Sequence, residues 1–524
     1  MNVPSHPSHP TFSETDLRSI FGDEACKRLR LLSPARGVST DTRRLEGGNI
    51  FVALRGERFN GNALVGEALR KGAAAAIVDS LSDALAALQL DRDAEQYAEQ
   101  YAEQYAMWAK NPPFIVVPDA LAALGDLARF HRRRFSIPVV AVAGSAGKTT
   151  TKEMTAHLLQ EKYAVLKTEG NWNNQVGAPL TLLRLRPDHE IAVVEIGTNE
   201  PGEIAILSAI VEPTHGVITN IGKEHLEKLR DENGVEQEET ELFRYLASRG
   251  GKAFVNADDK RLRKYKRSGW TSYGFSGGES PDVEGSLIAI ENVAEDDSPS
   301  GANGAAFKRE TLRVADRRSG TEIRAVLRAV GSVAARNALA ATAIALEFDV
   351  PPDALQRALE SFLPVASEAG YGRLAFERWI LADNRRIQAI NDCYNANPIS
   401  MYAALETLRD VQTPNAVGSS SARKIAVLGD MRELGEHSTA EHDALLEYVR
   451  TASWLQWIVL VGEEMRRAYE RHTDRHEATQ TIAYCESNDV CARELKRGLK
   501  DGDIVLFKAS RGVRLEEAIL ATRA

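Results

Sequence analysis

The stretch IPVVAVAGSAGKTTTKEMTAHLL, residues 137–159, decides how the chain is read. An apolar run ending at Ala143 breaks at Gly144 and passes through small residues into a helix-favouring pattern. That is the pattern of a strand, a tight loop and a helix in succession. Small residues let backbone N–H groups close around phosphate oxygens, and a helix N-terminus adds a favourable dipole. Gly144, Ser145, Ala146, Gly147, Lys148, Thr149 and Thr150 are therefore candidates for an ATP site. In it Lys148 would reach the β/γ-phosphates and Thr149 would offer its hydroxyl to Mg2+. The first glycine of the common pattern G-x-x-x-x-G-K-[ST] would fall at Val142, so the motif alone leaves open a glycine turn with an incidental lysine.

Outward from this stretch the chain divides by composition. Its 524 residues exceed what one hydrophobic core organises and suggest about three domains. Before it, NIFVAL (49–54) reads as a strand and ALVGEALRKGAAAAIV (63–78) as a helix running into another strand. A tetrapeptide repeated in AEQYAEQYAEQYA (94–106) is polar and helix-favouring, and reads as a helical insertion spanning about 91–110. Residues 295–304 read as an exposed loop. Past a boundary near Pro364, apolar strand candidates at 387–391, 424–428, 457–461 and 503–508 alternate with helical segments, as in a parallel α/β sheet, with 412–423 as a connecting loop. The expectation is three α/β domains: 1–136, a small α/β unit; 137–364, a phosphate-loop domain with a mostly parallel sheet; and 365–524, a Rossmann-like α/β domain.

The bulk properties exclude several classes. With 43% hydrophobic and 27% charged residues the composition is globular. No apolar run reaches the roughly 20 residues of a membrane span. The N-terminus lacks the basic and apolar regions of a signal peptide, and Cys26, Cys393, Cys485 and Cys491 have neither metal-ligand nor paired spacing. A cytoplasmic location follows. A net charge of −9 argues against nucleic acid as a partner, with Arg132 to Arg134 read as a solvated helix end. No coiled-coil or sheet-edge partner is marked, so a monomer is expected.

Further polar residues fall at strand ends, where ligands sit in open α/β sheets. IAVVEIG (191–197) puts Glu195 near the end of an apolar strand, and GVITNIGKEHLE (216–227) puts His225 shortly after another. A carboxylate and an imidazole there suit Mg2+ or a bridging water, although each alone is as readily structural.

Seven strings carry a resemblance. TEGNWNNQVGAPL (168–180), EIGTNEPGEI (195–204) and TNIGKEHLE (219–227) resemble the central ATPase domain of Mur ligases. DCYNANPISM (392–401), VLGDMRELGEHS (427–438) and VLFKASRG (505–512) resemble the C-terminal domain of the D-alanyl-D-alanine-adding branch of that family. STDTRRLEGGNIFVALRGERFNGN (39–62) resembles its nucleotide-sugar-binding N-terminal domain. The resemblance implies an amide ligase that phosphorylates the terminal carboxylate of UDP-N-acetylmuramoyl-tripeptide with ATP. The amine of D-alanyl-D-alanine then attacks the acyl phosphate.

It also implies roles residue by residue. Lys148 and the loop amides would stabilise the transferring phosphoryl group, and Thr149, Glu195 and His225 would hold Mg2+. Asn256 and Asn337 would contact the nucleotide, and Asn171, Asn173 and Asn174 would line the junction between substrate and ATP. Ser39, Thr40, Asp41 and Arg43 would lie against the UDP moiety. Asp392, Tyr394, Asn395 and Asn397 would face the dipeptide, with Lys508 and Arg511 near the phosphates or acyl group.

Two positions depart from the family. Many members carry a carbamylated lysine about a dozen residues after HLE, whose terminal carboxylate helps hold magnesium. Here, in GVEQEETELF (234–243), Glu239 occupies that position. It supplies a carboxylate without carbamylation, on a side chain shorter by roughly three atoms, with Glu238 or Glu241 as possible helpers. GSVAARNALAA (331–341) keeps Asn337 but has Val333 where a histidine is common. Alternatives at this point are a tripeptide-forming ligase of the same family, a phosphate-loop ATPase without amide chemistry, and a catalytically silent binding module.

Overall fold

By internal contacts the chain divides into two units, one of residues 1–141, 163–197 and 203–215 and the other of 142–162, 198–202 and 216–524. The structure is a computed structural model, and it describes residues 9–57, 59–90, 111–275, 280–292, 308–328, 331–363, 372, 374–411, 422–472 and 480–523. The repeat insertion at 91–110, the loop at 295–304, the boundary at Pro364 and most of the 412–423 connection lie outside these residues.

In the first unit, four short strands, Val38–Ser39, Ile50–Val52, Ala75–Val78 and Phe114–Val116, lie in that order and are all parallel. The apolar strings read from the sequence supply the middle two. Phe51, Val65, Leu69, Val78 and Phe114 close a core against the sheet, each such side chain contributing about 2 kcal/mol by burial. Helix Ala120–Arg132 starts where the Asp119 carboxylate accepts the N–H groups of Leu121 and Ala122, a cap that contributes about 1 kcal/mol. In the same unit Val165–Lys167 pairs in parallel with Ile191–Glu195.

The division between units falls within strand Val139–Ala143. From there the strand order continues through His215–Ile218, Lys252–Asn256, Thr271–Phe275, Val283–Asn292, Lys308–Asp316 and Thr321–Leu327. The pairings of Lys252–Asn256 with Thr271–Phe275 and of Thr271–Phe275 with Val283–Asn292 are parallel, whereas the last two strands fold back antiparallel. A second sheet in this unit runs Ala375–Ile380, Arg386–Asp392, Ile504–Lys508, Lys424–Gly429, Trp457–Val461 and Thr481–Cys485. Only Ala375–Ile380 is antiparallel to its neighbour. Its four inner strands are those read as apolar runs. The two outer ones went unread because Ala375–Ile380 and Thr481–Cys485 are mostly half-exposed and mix charged or polar residues with apolar ones. Among the described residues, no helix is long and apolar enough to cross a membrane.

His131 lies buried in the first unit with its Nε2 3.0 Å from the Leu185 carbonyl and its ring against Phe12 and Phe135. Burial pushes its pKa from 6.5 down to about 4. The unfolded chain takes up a proton near pH 6.5 that the folded chain refuses until about 4, so stability is lost as pH falls through this window, by up to about 3 kcal/mol. His131→Phe is expected to flatten the pH dependence of chemical unfolding between pH 4 and 6.5. Identical profiles for the two proteins would contradict this assignment.

Candidate active site

Strand Val139–Ala143 ends on Gly144, and helix Lys148–Leu159 begins after Gly147. The loop between them needs both glycines. Gly144 has φ +115° and Gly147 φ +81°. A Cβ at Gly144 would stand 2.4 Å from the Thr219 hydroxyl, and one at Gly147 2.7 Å from Asn337 Oδ1. Asn337, on helix Ser332–Glu347, also accepts a hydrogen bond from the Thr151 hydroxyl at 3.3 Å. In the structure it therefore packs beneath the loop. The Ala146 N–H donates to the Asn220 side chain at 3.0 Å, and Ser145 exchanges hydrogen bonds with Gly222.

Lys148 donates its ammonium to the Gly144 carbonyl at 2.5 Å and faces Glu224 at 3.4 Å. Glu224 is 3% exposed and Glu239 fully buried. One oxygen of Glu239 accepts the Gly144 N–H at 2.8 Å. The other, like Oε1 of Glu224, meets no N–H or hydroxyl donor among the described residues, and the protonated Glu239 carboxyl is left to hydrogen-bond with Glu224. Burial, and next the Glu224 carboxylate, push the Glu239 carboxyl well above the usual carboxylate range. The rest of its helix is built into the protein as well: Glu236 meets Arg261, Lys264 and Tyr265, and Glu238 accepts the Gly202 N–H. Glu241 pairs with Arg244. The acidic string is thus a set of partnered carboxyls, a fact its composition conceals.

His225 stands just before helix Leu226–Leu229 with φ +48°, and its Nδ1 lies 2.5 Å from Glu433. Asn256, ending its strand, donates to the Thr219 carbonyl at 2.7 Å and accepts from Asp258 N–H. In the second sheet of this unit, Asp392 and Lys508 stand side by side in register, 2.7 Å apart and buried. Lys508 also donates to the Asn395 carbonyl. Asn397 caps helix Pro398–Asp410 and donates to the Ser145 carbonyl of the phosphate loop at 3.3 Å. Tyr394 is half-buried, while Asn395 and Arg511 are exposed.

Within the first unit, Glu195 ends its strand and accepts a hydrogen bond from Asn173 at 2.9 Å. Asn174 Oδ1 accepts the N–H groups of Val176 and Gly177 just before and at the start of helix Gly177–Leu182, and Asn171 is exposed. Arg43 grips Asp41 in a two-pronged pair and holds its carboxyl down to about 2, while Ser39 donates to the Asp41 carbonyl and Thr40 is half-buried.

The sequence reading assigned nothing to a cavity of 380 Å³ in the second unit, over the carboxyl ends of three neighbouring strands. Asp430, Arg432, Gly462, Glu463, Ser487 and Gly512 line it. The available signal was position: Asp430 and Arg432 directly follow a strand that ends at Gly429, and strand ends of open α/β sheets hold ligands.

A glycine loop joining strand to helix, with a lysine at the helix start, defines a phosphate-loop nucleotide-binding protein of the α/β class. Three family models match the chain: the Mur ligase family catalytic domain over residues 34–132, the Mur ligase middle domain over 142–345, and the Mur ligase glutamate ligase domain over 376–511. Similar proteins include the UDP-N-acetylmuramoyl-tripeptide–D-alanyl-D-alanine ligases of Synechocystis sp., 32% identical over 96% of this chain and 94% of that protein, and of Escherichia coli, 30% identical over 92% and 93%. A crystal structure of MurF from Acinetobacter baumannii is 27% identical, with a TM-score of 0.76 over 98% of this chain and 99% of that one. MurF from Thermotoga maritima in complex with ADP is 25% identical, with a TM-score of 0.68 over 93% and 96%. The chain belongs to the Mur ligase family.

Gly147→Ala forces a side chain onto a left-handed backbone and against Asn337. It should lower stability to chemical unfolding by about 1–3 kcal/mol. An unchanged unfolding midpoint would mean that the loop accommodates the methyl group.

Proposed function

We propose that the chain is an ATP-dependent amide ligase that joins D-alanyl-D-alanine to UDP-N-acetylmuramoyl-tripeptide, giving the pentapeptide precursor of peptidoglycan. The observation that carries this reading is a likeness to ligases of this one named activity across at least nine-tenths of the chain, so that nucleotide, sugar-nucleotide and acceptor segments are all included. The division of labour follows: residues 1–136 bind the UDP-sugar through Ser39, Thr40, Asp41 and Arg43, residues 137–364 bind ATP, and residues 365–524 bind the dipeptide. These precursors are cytoplasmic, and so is the enzyme.

The reaction needs charge stabilisation and alignment. Lys148, already at the mouth of the loop, moves from the Gly144 carbonyl to the phosphates and neutralises charge on the phosphoryl group as it passes to the substrate carboxylate. The amine of the dipeptide then attacks the acyl carbon, and the tetrahedral intermediate expels phosphate to leave the amide. Excluding water from the acyl phosphate is what makes amide formation outrun hydrolysis. In the second unit the Thr149 hydroxyl, the His225 imidazole and the Glu239 carboxyl are of the donor types a hard divalent cation takes, and among the described residues no three His, Cys, Asp or Glu side chains are already gathered around one point. Mg2+ held there would offset the negative charge of the phosphates. Glu239 stands in for the carbamylated lysine of relatives, which makes the enzyme independent of bicarbonate.

The dipeptide offers an ammonium and a carboxylate. We assign it to the 380 Å³ cavity, where Arg432 matches the carboxylate and Asp430, in a lining that also carries Glu486, Asp489 and Glu517, matches the ammonium, while Glu463 is held by Arg466 and Arg467. Asp392 and Lys508, spent on each other, act by holding the strands beneath the DCYNANP turn.

The test is phosphate release with ATP, Mg2+ and the UDP-tripeptide, with and without D-alanyl-D-alanine. Release is expected only with both substrates, alongside the pentapeptide product, and Lys148→Met should lower it at least about 100-fold. Release without either substrate would instead identify a simple ATPase, and release only with a different amine another ligase of the family.

The same assay in buffer stripped of bicarbonate is expected to run at full rate, and Glu239→Ala should slow it at least about tenfold. Dependence on added bicarbonate, or a Glu239→Ala enzyme with unaltered turnover and magnesium requirement, would end the substitution argument.

A further inference from the structure

His225 is held by a residue 208 positions away in the chain. Its Nδ1 lies 2.5 Å from Glu433 Oε2, while its Nε2 faces Glu224 at 3.9 Å, the carboxylate that also meets Lys148. Both His225, φ +48°, and Glu433, φ +64°, hold left-handed backbone conformations that side-chain-bearing residues rarely adopt. Such conformations persist where surrounding structure imposes them, and here each turn is pinned by the other. The Glu227 N–H donates to the Glu433 carbonyl at 3.2 Å, and His437 Nε2 lies 2.9 Å from the Arg230 carbonyl. Gly435 leaves no room for a side chain, since a Cβ would stand 2.9 Å from Glu227 Cα.

An imidazole that ligates a metal through one nitrogen has its other nitrogen protonated, and a carboxylate on that proton selects the tautomer and the ring orientation. We propose that Glu433 is a positioning residue for His225: its carboxylate accepts the Nδ1 proton and leaves the Nε2 lone pair on the side of Glu224, the carboxylate that meets Lys148. The turn at 433–437 thereby couples docking of the second sheet's loops to the readiness of the cation site. The inference deepens the reading of His225 as a magnesium ligand and rests on it. Lys223–Glu441, 2.5 Å apart, joins the same two surfaces without touching the imidazole, and so separates aiming from docking.

The experiment uses full-length protein labelled with 15N-histidine, free of nucleotide and metal, with the His225 resonances assigned by their loss in His225→Gln. The expected spectrum has a protonated Nδ1 and an unprotonated Nε2. Glu433→Ala should shift His225 toward the other tautomer, whereas Glu433→Gln, whose amide oxygen still accepts the proton, should keep it. Mn2+ affinity in the presence of ADP, read by electron paramagnetic resonance, should fall about tenfold in Glu433→Ala, recover in Glu433→Gln and stay unchanged in Lys223→Ala. An unmoved tautomer in Glu433→Ala, or an equal loss of Mn2+ affinity in Lys223→Ala, overturns the proposal. If His225→Gln itself binds Mn2+ normally, the magnesium reading of His225 fails, while the tautomer measurement still judges the role of Glu433.

Discussion

The turn from Ala143 into Lys148 is the constraint from which the rest follows. A strand and a helix can be joined this tightly only by backbone at positive φ, and at Gly144 and Gly147 any Cβ would strike Thr219 or Asn337. The reward for the close approach is a row of N–H groups and a lysine at one helix end, which is what phosphate requires. Neighbouring elements of the same unit are committed to this turn: Asn337 beneath it, Asn220 and Gly222 beside it, Glu239 on its first amide and Asn397 on the Ser145 carbonyl. A change in any of these elements is felt at the loop.

Placing two carboxyls, Glu224 and Glu239, in buried positions beside one ammonium is costly, because desolvated like charges repel. The structure answers it in two ways. Lys148 balances one charge, and Glu239 keeps its proton well above the range of an exposed carboxyl. A group in that condition responds strongly to any added positive charge, which favours its ionised form. The arrangement therefore ties the protonation of the loop's foundation to what occupies the loop.

Much of the fold was legible in apolar runs. Val139–Ala143, Ile191–Glu195, Trp457–Val461 and Ile504–Lys508 are buried on both faces and read as largely hydrophobic stretches. Edge strands escaped because one face meets water and dilutes the pattern, as in Ala375–Ile380. At the site, the loop residues stood out by their own chemistry. Other pairings did not: Asp392 and Lys508, which the resemblance places toward the dipeptide and the phosphates or acyl group, lie paired and buried in adjacent strands, whereas Asp430 and Arg432 had no role assigned from sequence and line the cavity.

By itself the sequence determined the α/β class, the phosphate loop and the family, because each is written in short contiguous strings whose local backbone and composition carry the information. The tertiary structure alone decided which charges are free and which are spent. Glu239 meets Gly144 from 95 residues away, and Glu433 meets His225 from 208. Such pairings depend on how sheets and turns pack after the chain has closed. No local pattern encodes them, since an acidic residue in a string reads the same whether it faces solvent, a backbone amide or an imidazole.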